Sequence, residues 1–322
     1  MQLPRILKMR FLKGIEYRLY TWLNNRVKET NWYKNQIPDL NNYPTDAWYR
    51  KNLERNYDIV NVGSSSGVYA FDYTSTGLKA FNWALQPQSL EYSFNILKQY
   101  FSILKKGGIV IIPISPFSGL SVEGKWHTTA NDKYFHILDS TLIDEYQNVA
   151  YRRTHPLKAF PKVALKMLLK DIPRQNKASC RICQCAKEFE DDAEWWIKLW
   201  CNEFCIADMD APLNENNKKG MAKRVILLNK IIKFCIEREL RPVITIPPIH
   251  PALNRRFSNT FCNNYIYKFI NSANEPKVEF YDYMMDNDFM DNNLFHNSYF
   301  LNENGAKKFT EKFIKRINSK LV

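Results

Sequence analysis

Apolar residues in this chain recur at two spacings, and the alternation between them predicts the elements. Tyr57-Asp58-Ile59-Val60-Asn61-Val62 is a short β-branched run ending in Gly63-Ser64-Ser65-Ser66-Gly67, a buried strand that enters a tight turn. Phe81 to Leu85 reads as another short strand. Leu90, Phe94, Leu97, Phe101 and Leu104 fall at i, i+4, i+7, i+11 and i+14, a helix stopped by Lys105-Lys106-Gly107-Gly108. Ile109-Val110-Ile111-Ile112 follows as a fully apolar strand of the kind found inside a parallel sheet. The cycle then repeats. Ala222 to Leu240 predicts a helix with Val225, Leu228, Ile232 and Cys235 inward, and Arg241 to Ile246 the next strand. A helix near 260 to 272, the strand Val278-Glu279-Phe280-Tyr281 and a helix from Gly305 onward complete the pattern. Strands and helices in alternation mean an α/β fold, a three-layer, doubly wound parallel sheet covered on both faces.

Two segments stand apart from this rhythm. Residues 117 to 220 hold helical patterns at 159 to 170 and 187 to 204 and few strand-like runs. They read as a mainly helical insertion beside the strand ends, where α/β proteins build sites. Asn214-Glu215-Asn216-Asn217 reads as a polar linker. Residues 1 to 30 read as a basic amphipathic helix, with Ile15, Leu19, Trp22 and Leu23 on one face. Arg5, Lys8, Arg10, Lys13, Arg18, Arg26 and Lys28 oppose only Glu16 and Glu29 there. Such a helix either meets an anionic membrane surface through residues 5–28 or packs its stripe on the domain, the commoner use. The expected organisation is 1–50, a basic helix and connector, then 51–322, an α/β domain with the helical insertion at about 117–220.

Composition narrows the class. With 45 % apolar and 14 % aromatic residues the chain can fill a core, which excludes general disorder. A net charge of +13 and a pI near 9.3 call for an acidic neighbour. Nucleic acid is the weakest of these, because no helix-turn-helix, zinc-finger or RNA-binding signature occurs. A basic strip of Lys166, Lys170, Arg174, Lys177 and Arg181 suits phosphate, anionic sugar or water equally. No stretch reaches the roughly 20 apolar residues of a membrane span. Positive charges spread through the N-terminal segment leave no apolar block of a secretory signal. The expected location is therefore cytoplasmic, peripheral at the inner membrane face if the first helix is interfacial, with reduced cysteines. Cys180, Cys183 and Cys185, with Cys201 and Cys205, are either zinc or cluster ligands or plain thiols. Cys201 and Cys205 sit among Trp196, Trp200 and Phe204 at helical spacing, which favours core thiols. No metal and no cofactor is expected.

The candidate chemistry lies in two motifs at opposite ends of the α/β pattern. A serine in the turn after the first strand faces the crevice at the strands' C-terminal edge. A histidine from the last loop can take its proton, and an acid can orient that histidine. Val60-Asn61-Val62-Gly63-Ser64-Ser65 and Asn297-Ser298-Tyr299-Phe300-Leu301-Asn302-Glu303-Asn304-Gly305-Ala306 occupy those places. With them the chain resembles the SGNH/GDSL hydrolases over roughly residues 55 to 320, apart from the insertion. The last motif matches that family's Asp-x-x-His-Leu-Asn-x-x-Gly block. The resemblance implies a flavodoxin-like α/β domain of SGNH type, with Ser65 in the nucleophile position. It also implies oxyanion or binding positions at Gly63, Ser64, Asn82 and Ser115. Its departures are Asn297 for the orienting Asp, Phe300 for the base His, and Pro87, which has no N–H, for an oxyanion glycine.

Loss of the base and its partner typically leaves only about 10³–10⁴ of acceleration over water, so a conventional triad esterase is disfavoured. His250, in the loop after a core strand, and His296, four residues before Phe300, are the candidate substitute bases. Asp282 and Asp291 are candidate orienters; the bland alternatives are a loop histidine bonded to backbone for His250, a surface histidine for His296 and solvated loop acids for the other two. Trp126-His127 and Phe135-His136 pair aromatic with polar groups, as sugar sites and packed cores both do. Two functions follow from the resemblance. One is O-acyl ester hydrolysis or acyl transfer on a sugar or surface polysaccharide through Ser65. The other is a catalytically inactive SGNH-fold protein that binds a glycan, an acylated sugar or a partner enzyme in polysaccharide biosynthesis.

Overall fold

A computed structural model describes residues 5–34, 56–120, 128–170, 181–273 and 276–318, with side chains from residue 13 in the first segment and from residue 130 in the third. Five parallel strands form one sheet: β1 (Tyr57–Asn61), β2 (Ala80–Asn82), β3 (Leu104–Pro113), β4 (Arg241–Ile246) and β5 (Glu279–Asp282). Their order is β2-β1-β3-β4-β5. The helices used below are α1 (Arg5–Glu29), α2 (Ser65–Ala70), α3 (Leu90–Tyr100), α4 (Tyr146–Thr154), α5 (Pro161–Leu169), α6 (Ala186–Phe204), α7 (Glu215–Ile236) and α8 (Glu303–Asn318).

The strand order reverses direction between β2 and β3. Right-handed crossovers therefore place α2 on the opposite face from α3 and α7. The packing agrees, since α3 packs on α7 and α8 packs on α2, which gives a three-layer α/β unit. Its core is the β-branched centre of the sheet. Ile59, Val60, Val110, Ile111, Val243, Ile244 and Ile246 are fully buried. Leu228, Ile232 and Cys235 cover one face, as their spacing predicts, and Phe309 and Phe313 the other.

Several boundaries differ from the periodicity. The helix expected to reach Leu104 ends at Tyr100, and after one 3-10 turn Leu104 already pairs with Tyr57 as strand. Gly107, at φ 73°, lets the chain bend inside β3, where its N–H donates to Glu239 O at 2.7 Å. The second strand is only Ala80–Asn82, and Trp83 to Leu85 form the following loop. The expected linker at 214–217 is the start of α7: Asn214 Oδ1 caps it by accepting from Asn217 N at 2.8 Å. Asparagine-rich sequence signals turn and cap alike, and only the partner separates them.

The contacts divide the chain into a sheet unit, 49–126 with 179–322, and a helical unit, 1–48 with 127–178. The expected segment at 117–220 is thus split. Its first half belongs with the N-terminal helix, and α6 and the start of α7 belong with the sheet. The helical unit is held by long-range bonds that no local pattern encodes. Asn24 Nδ2 donates to Thr154 O at 2.9 Å, and Tyr33 Oη donates to Arg153 O at 2.7 Å. In α1 the buried face carries Asn24 and Val27; of the stripe expected to pack, Ile15, Leu19 and Trp22 are about half exposed and Leu23 is half-buried. No described helix is long and apolar enough to cross a membrane.

Candidate functional site

The site begins where β1 stops. Gly63 takes φ 124°, a conformation closed to side chains, and turns the chain sharply into Ser64. Ser64 precedes α2, and its Oγ accepts from Gln88 N at 3.1 Å. Ser65 is the first residue of α2 and half-buried, and its hydroxyl has no hydrogen-bond partner among the described residues. Gly67 allows the close approach that follows. A Cβ there would stand 2.8 Å from Ala84 Cβ and 2.9 Å from Val62 O.

Behind this turn lies a polar knot. Asn61, fully buried, donates through Nδ2 to Asn82 Oδ1 at 2.7 Å and accepts from Tyr73 Oη at 2.9 Å. Asn82 also donates to Gly67 O at 3.0 Å and accepts from Ala84 N at 3.0 Å. Its amide is thus committed to holding β1, α2 and the loop after β2 together. Ser115 lies across the crest. Its N–H donates to Ser118 Oγ at 2.8 Å, its hydroxyl lies 3.0 Å from Ser118 Oγ, and it hydrogen-bonds the Tyr299 side chain. Burial pushes the Tyr299 phenol up to about 12, against the opposing pull of the Ser115 bond, so it stays a neutral hydroxyl.

A narrow crevice, with a free volume of only about 10 Å³, lies over the C-terminal ends of the strands. It is lined by Ser66 and Tyr69 of α2, Ser115 after β3, Pro247 and Pro248 after β4, and Tyr299 and Phe300 of the last loop. This is the location expected for ligands in an open parallel sheet. Aromatic rings pack beside it. Phe300 stacks on Tyr69 with centroids 4.6 Å apart and meets Trp196 edge-on at 5.7 Å. Trp196 and Trp200 of α6 stack at 5.0 Å, and both present edges to Tyr299, at 5.1 and 5.0 Å.

The last loop is shaped by Asn297, whose Oδ1 accepts from both Tyr299 N and Phe300 N at 2.9 Å. Its Nδ2 donates to Arg181 O at 3.2 Å. Asn297, expected at the place of an orienting acid, is a turn-former here, as Asx side chains often are. His296 donates its N–H to Phe300 O at 2.8 Å, and its ring meets Tyr69 edge-on at 5.8 Å.

His250 lies elsewhere. Its Nδ1 accepts from Ala252 N at 3.1 Å, which leaves the proton on Nε2, 2.8 Å from Asn292 Oδ1. The ring is stacked on Phe189 at 4.0 Å. Burial holds its pKa below the usual value, while the Asn292 bond and the Asp192 charge pull the other way. Both ring nitrogens are thus engaged away from Ser65. Asp282 accepts from Tyr267 Oη and Met284 N, and Asp291 accepts from Asn293 N, so these bonds turn loops and orient no histidine.

Sequence reasoning missed Asp192. It is fully buried on α6, where Oδ2 accepts from Ser298 Oγ at 2.6 Å and Ser298 N at 3.0 Å, and Oδ1 has no partner. Ser298 O in turn accepts from His250 N at 3.0 Å. The carboxylate ties α6, the loop after β4 and the last loop into one support beneath Tyr299 and Phe300. Its only sequence signal is an acid among the apolar positions of an otherwise amphipathic helix.

The remaining candidates lie apart from the crevice. His136 belongs to the helical unit, 3.3 Å from Arg153 Nη2, where burial and then that cation lower its pKa to about 4. His127 and Cys180 lie outside the described residues. Cys183 is buried, with Sγ 3.5 Å from Glu188 O. Cys185 is exposed, and Cys205, expected in a helix core, is instead the exposed left-handed residue that ends α6. No protein-family model and no curated protein matches the chain.

Proposed function

We propose that the chain is a divergent SGNH/GDSL-like protein that binds an acylated sugar of a surface polysaccharide without conventional triad hydrolysis. The observation that carries this is Phe300. It stands at the place of the general base in the last loop, and its ring is stacked on Tyr69 beside Ser66 and Ser115. An apolar ring cannot accept the Ser65 proton, His250 has both ring nitrogens engaged, and Asn297 is committed to the turn. The residues around the crevice are aromatic rings and hydroxyl groups, the chemistry by which proteins hold sugar rings.

A second reading rests on His296, half-exposed and edge-on to Tyr69 on the helix that Ser65 begins. There Ser65 attacks the ester carbonyl, His296 takes the hydroxyl proton and returns it to the leaving sugar alcohol, and water or a second alcohol clears the acyl group. Labelling by a fluorophosphonate probe, beside Ser65→Ala and His296→Gln, separates the two. Binding alone predicts no labelling in the folded wild type, together with saturable binding of O-acetylated glycan. Labelling lost in both variants would replace it with the serine reading.

A further inference from the structure

We infer that the helical unit docks on an anionic membrane surface through α1 and α5. The ground is how α1 distributes its apolar residues. One side, with Asn24 and Val27, is buried, and Asn24 bonds to Thr154 O and accepts from Leu157 N. Away from it lie Ile15, Leu19 and Trp22, 48 %, 55 % and 58 % exposed. A helix that has already buried one face has no packing use for a second apolar stripe.

The neighbouring helix repeats the pattern. α1 packs on α5, where Val163, Leu165 and Leu169 are exposed, the last at 85 %. Both helices intersperse these side chains with cations. Lys13, Arg18 and Arg26 on α1, and Lys158, Lys162, Lys166 and Lys170 on and beside α5, are all exposed.

Charge decides the occupant. The segments 1–48 and 127–178 contain 17 basic and 9 acidic residues, so they carry +8 of the chain's +13. Charge that looked scattered along the sequence is gathered in one unit by the fold. A second copy of the same unit would bring like charges together. An anionic lipid leaflet satisfies both features at once: acyl chains take Trp22, Leu19 and Leu169, aromatic rings sit at headgroup depth, and lysines meet lipid phosphate.

The test is flotation of the full chain with phosphatidylcholine vesicles that contain or lack phosphatidylglycerol. Three outcomes are expected: binding to the anionic vesicles alone, release in about 1 M salt, where the Debye length falls to about 3 Å, and sensitivity to two variant pairs. Lys162→Gln with Lys166→Gln should weaken binding roughly 25-fold, about fivefold per cation. Leu19→Ser with Trp22→Ser should weaken it at least about tenfold. All four side chains are exposed, so an unchanged circular dichroism spectrum and Tm check that the fold survives. Failure to float with anionic vesicles overturns the inference. Binding that neither pair weakens overturns it too. A dimer in light scattering that Trp22→Ser dissolves assigns the stripe to a second copy instead. RNA binding sensitive only to the lysine pair assigns the charge to nucleic acid. None of these outcomes depends on whether Ser65 is labelled.

Discussion

On the SGNH reading proposed above, replacing Phe300 by histidine supplies a general base in the last loop, and its consequences can be worked out from the packing. Phe300 is 4 % exposed. Losing its stack on Tyr69 costs about 0.5–1.5 kcal/mol beyond area. An imidazole nitrogen left unpaired in that apolar setting adds roughly 1–3 kcal/mol. The single variant should therefore lose about 1.5–4.5 kcal/mol, which a domain of ordinary stability, about 5–15 kcal/mol, survives. Adding Asn297→Asp keeps the two bonds accepted from Tyr299 and Phe300 N–H. It turns the donor to Arg181 O into an acceptor, at a further cost of about 1–3 kcal/mol. The single variant is the better first test. General-base assistance is worth about 10²–10⁴, so fluorophosphonate labelling of Phe300→His should run at least about 100-fold faster than wild type and vanish on Ser65→Ala. Urea denaturation gives the stability change in parallel. A folded Phe300→His variant that labels no faster would refute the SGNH reading of both motifs.

The scaffold beneath the crevice makes its own predictions. Ser298→Ala removes the hydroxyl donor to Asp192 Oδ2, whose Oδ1 already lacks a partner. It should cost about 1.5–3 kcal/mol in urea denaturation, and a loss below about 0.5 kcal/mol would show that the carboxylate is not buried as described. His250 has its pKa lowered by burial in the folded chain, whereas the unfolded chain takes up its proton near pH 6.5. That contribution is present above about pH 6.5 and lost as the pH falls. The decline of Tm between about pH 7 and 5 should flatten in His250→Gln, and an equally steep decline would contradict it.

How much of this was legible in the sequence follows from what each feature depends on. The α/β alternation, the sheet strands at 57–61, 109–112 and 241–246, and the inward face of α7 are local periodicities, and the burial of Ile59, Ile111, Val243, Leu228 and Ile232 follows them. The turn at Gly63 to Gly67 was legible for the same reason, since glycine's conformational freedom is a property of the residue itself. Boundaries were less so. Leu104 fits a helix period and a strand equally, and its pairing with Tyr57 decided.

The rest belonged to tertiary structure alone. Nothing near Asn24 in sequence announces Thr154, 130 residues on, yet that bond helps place the first helix with residues 127–178. Asp192 and Ser298 are 106 residues apart, and neither carries a motif. The stripe of Ile15, Leu19 and Trp22 was visible as apolar, but periodicity cannot say whether a stripe is covered. That depends on what chain remains to cover it. In this protein the helix buried its other side, and long-range packing made the choice.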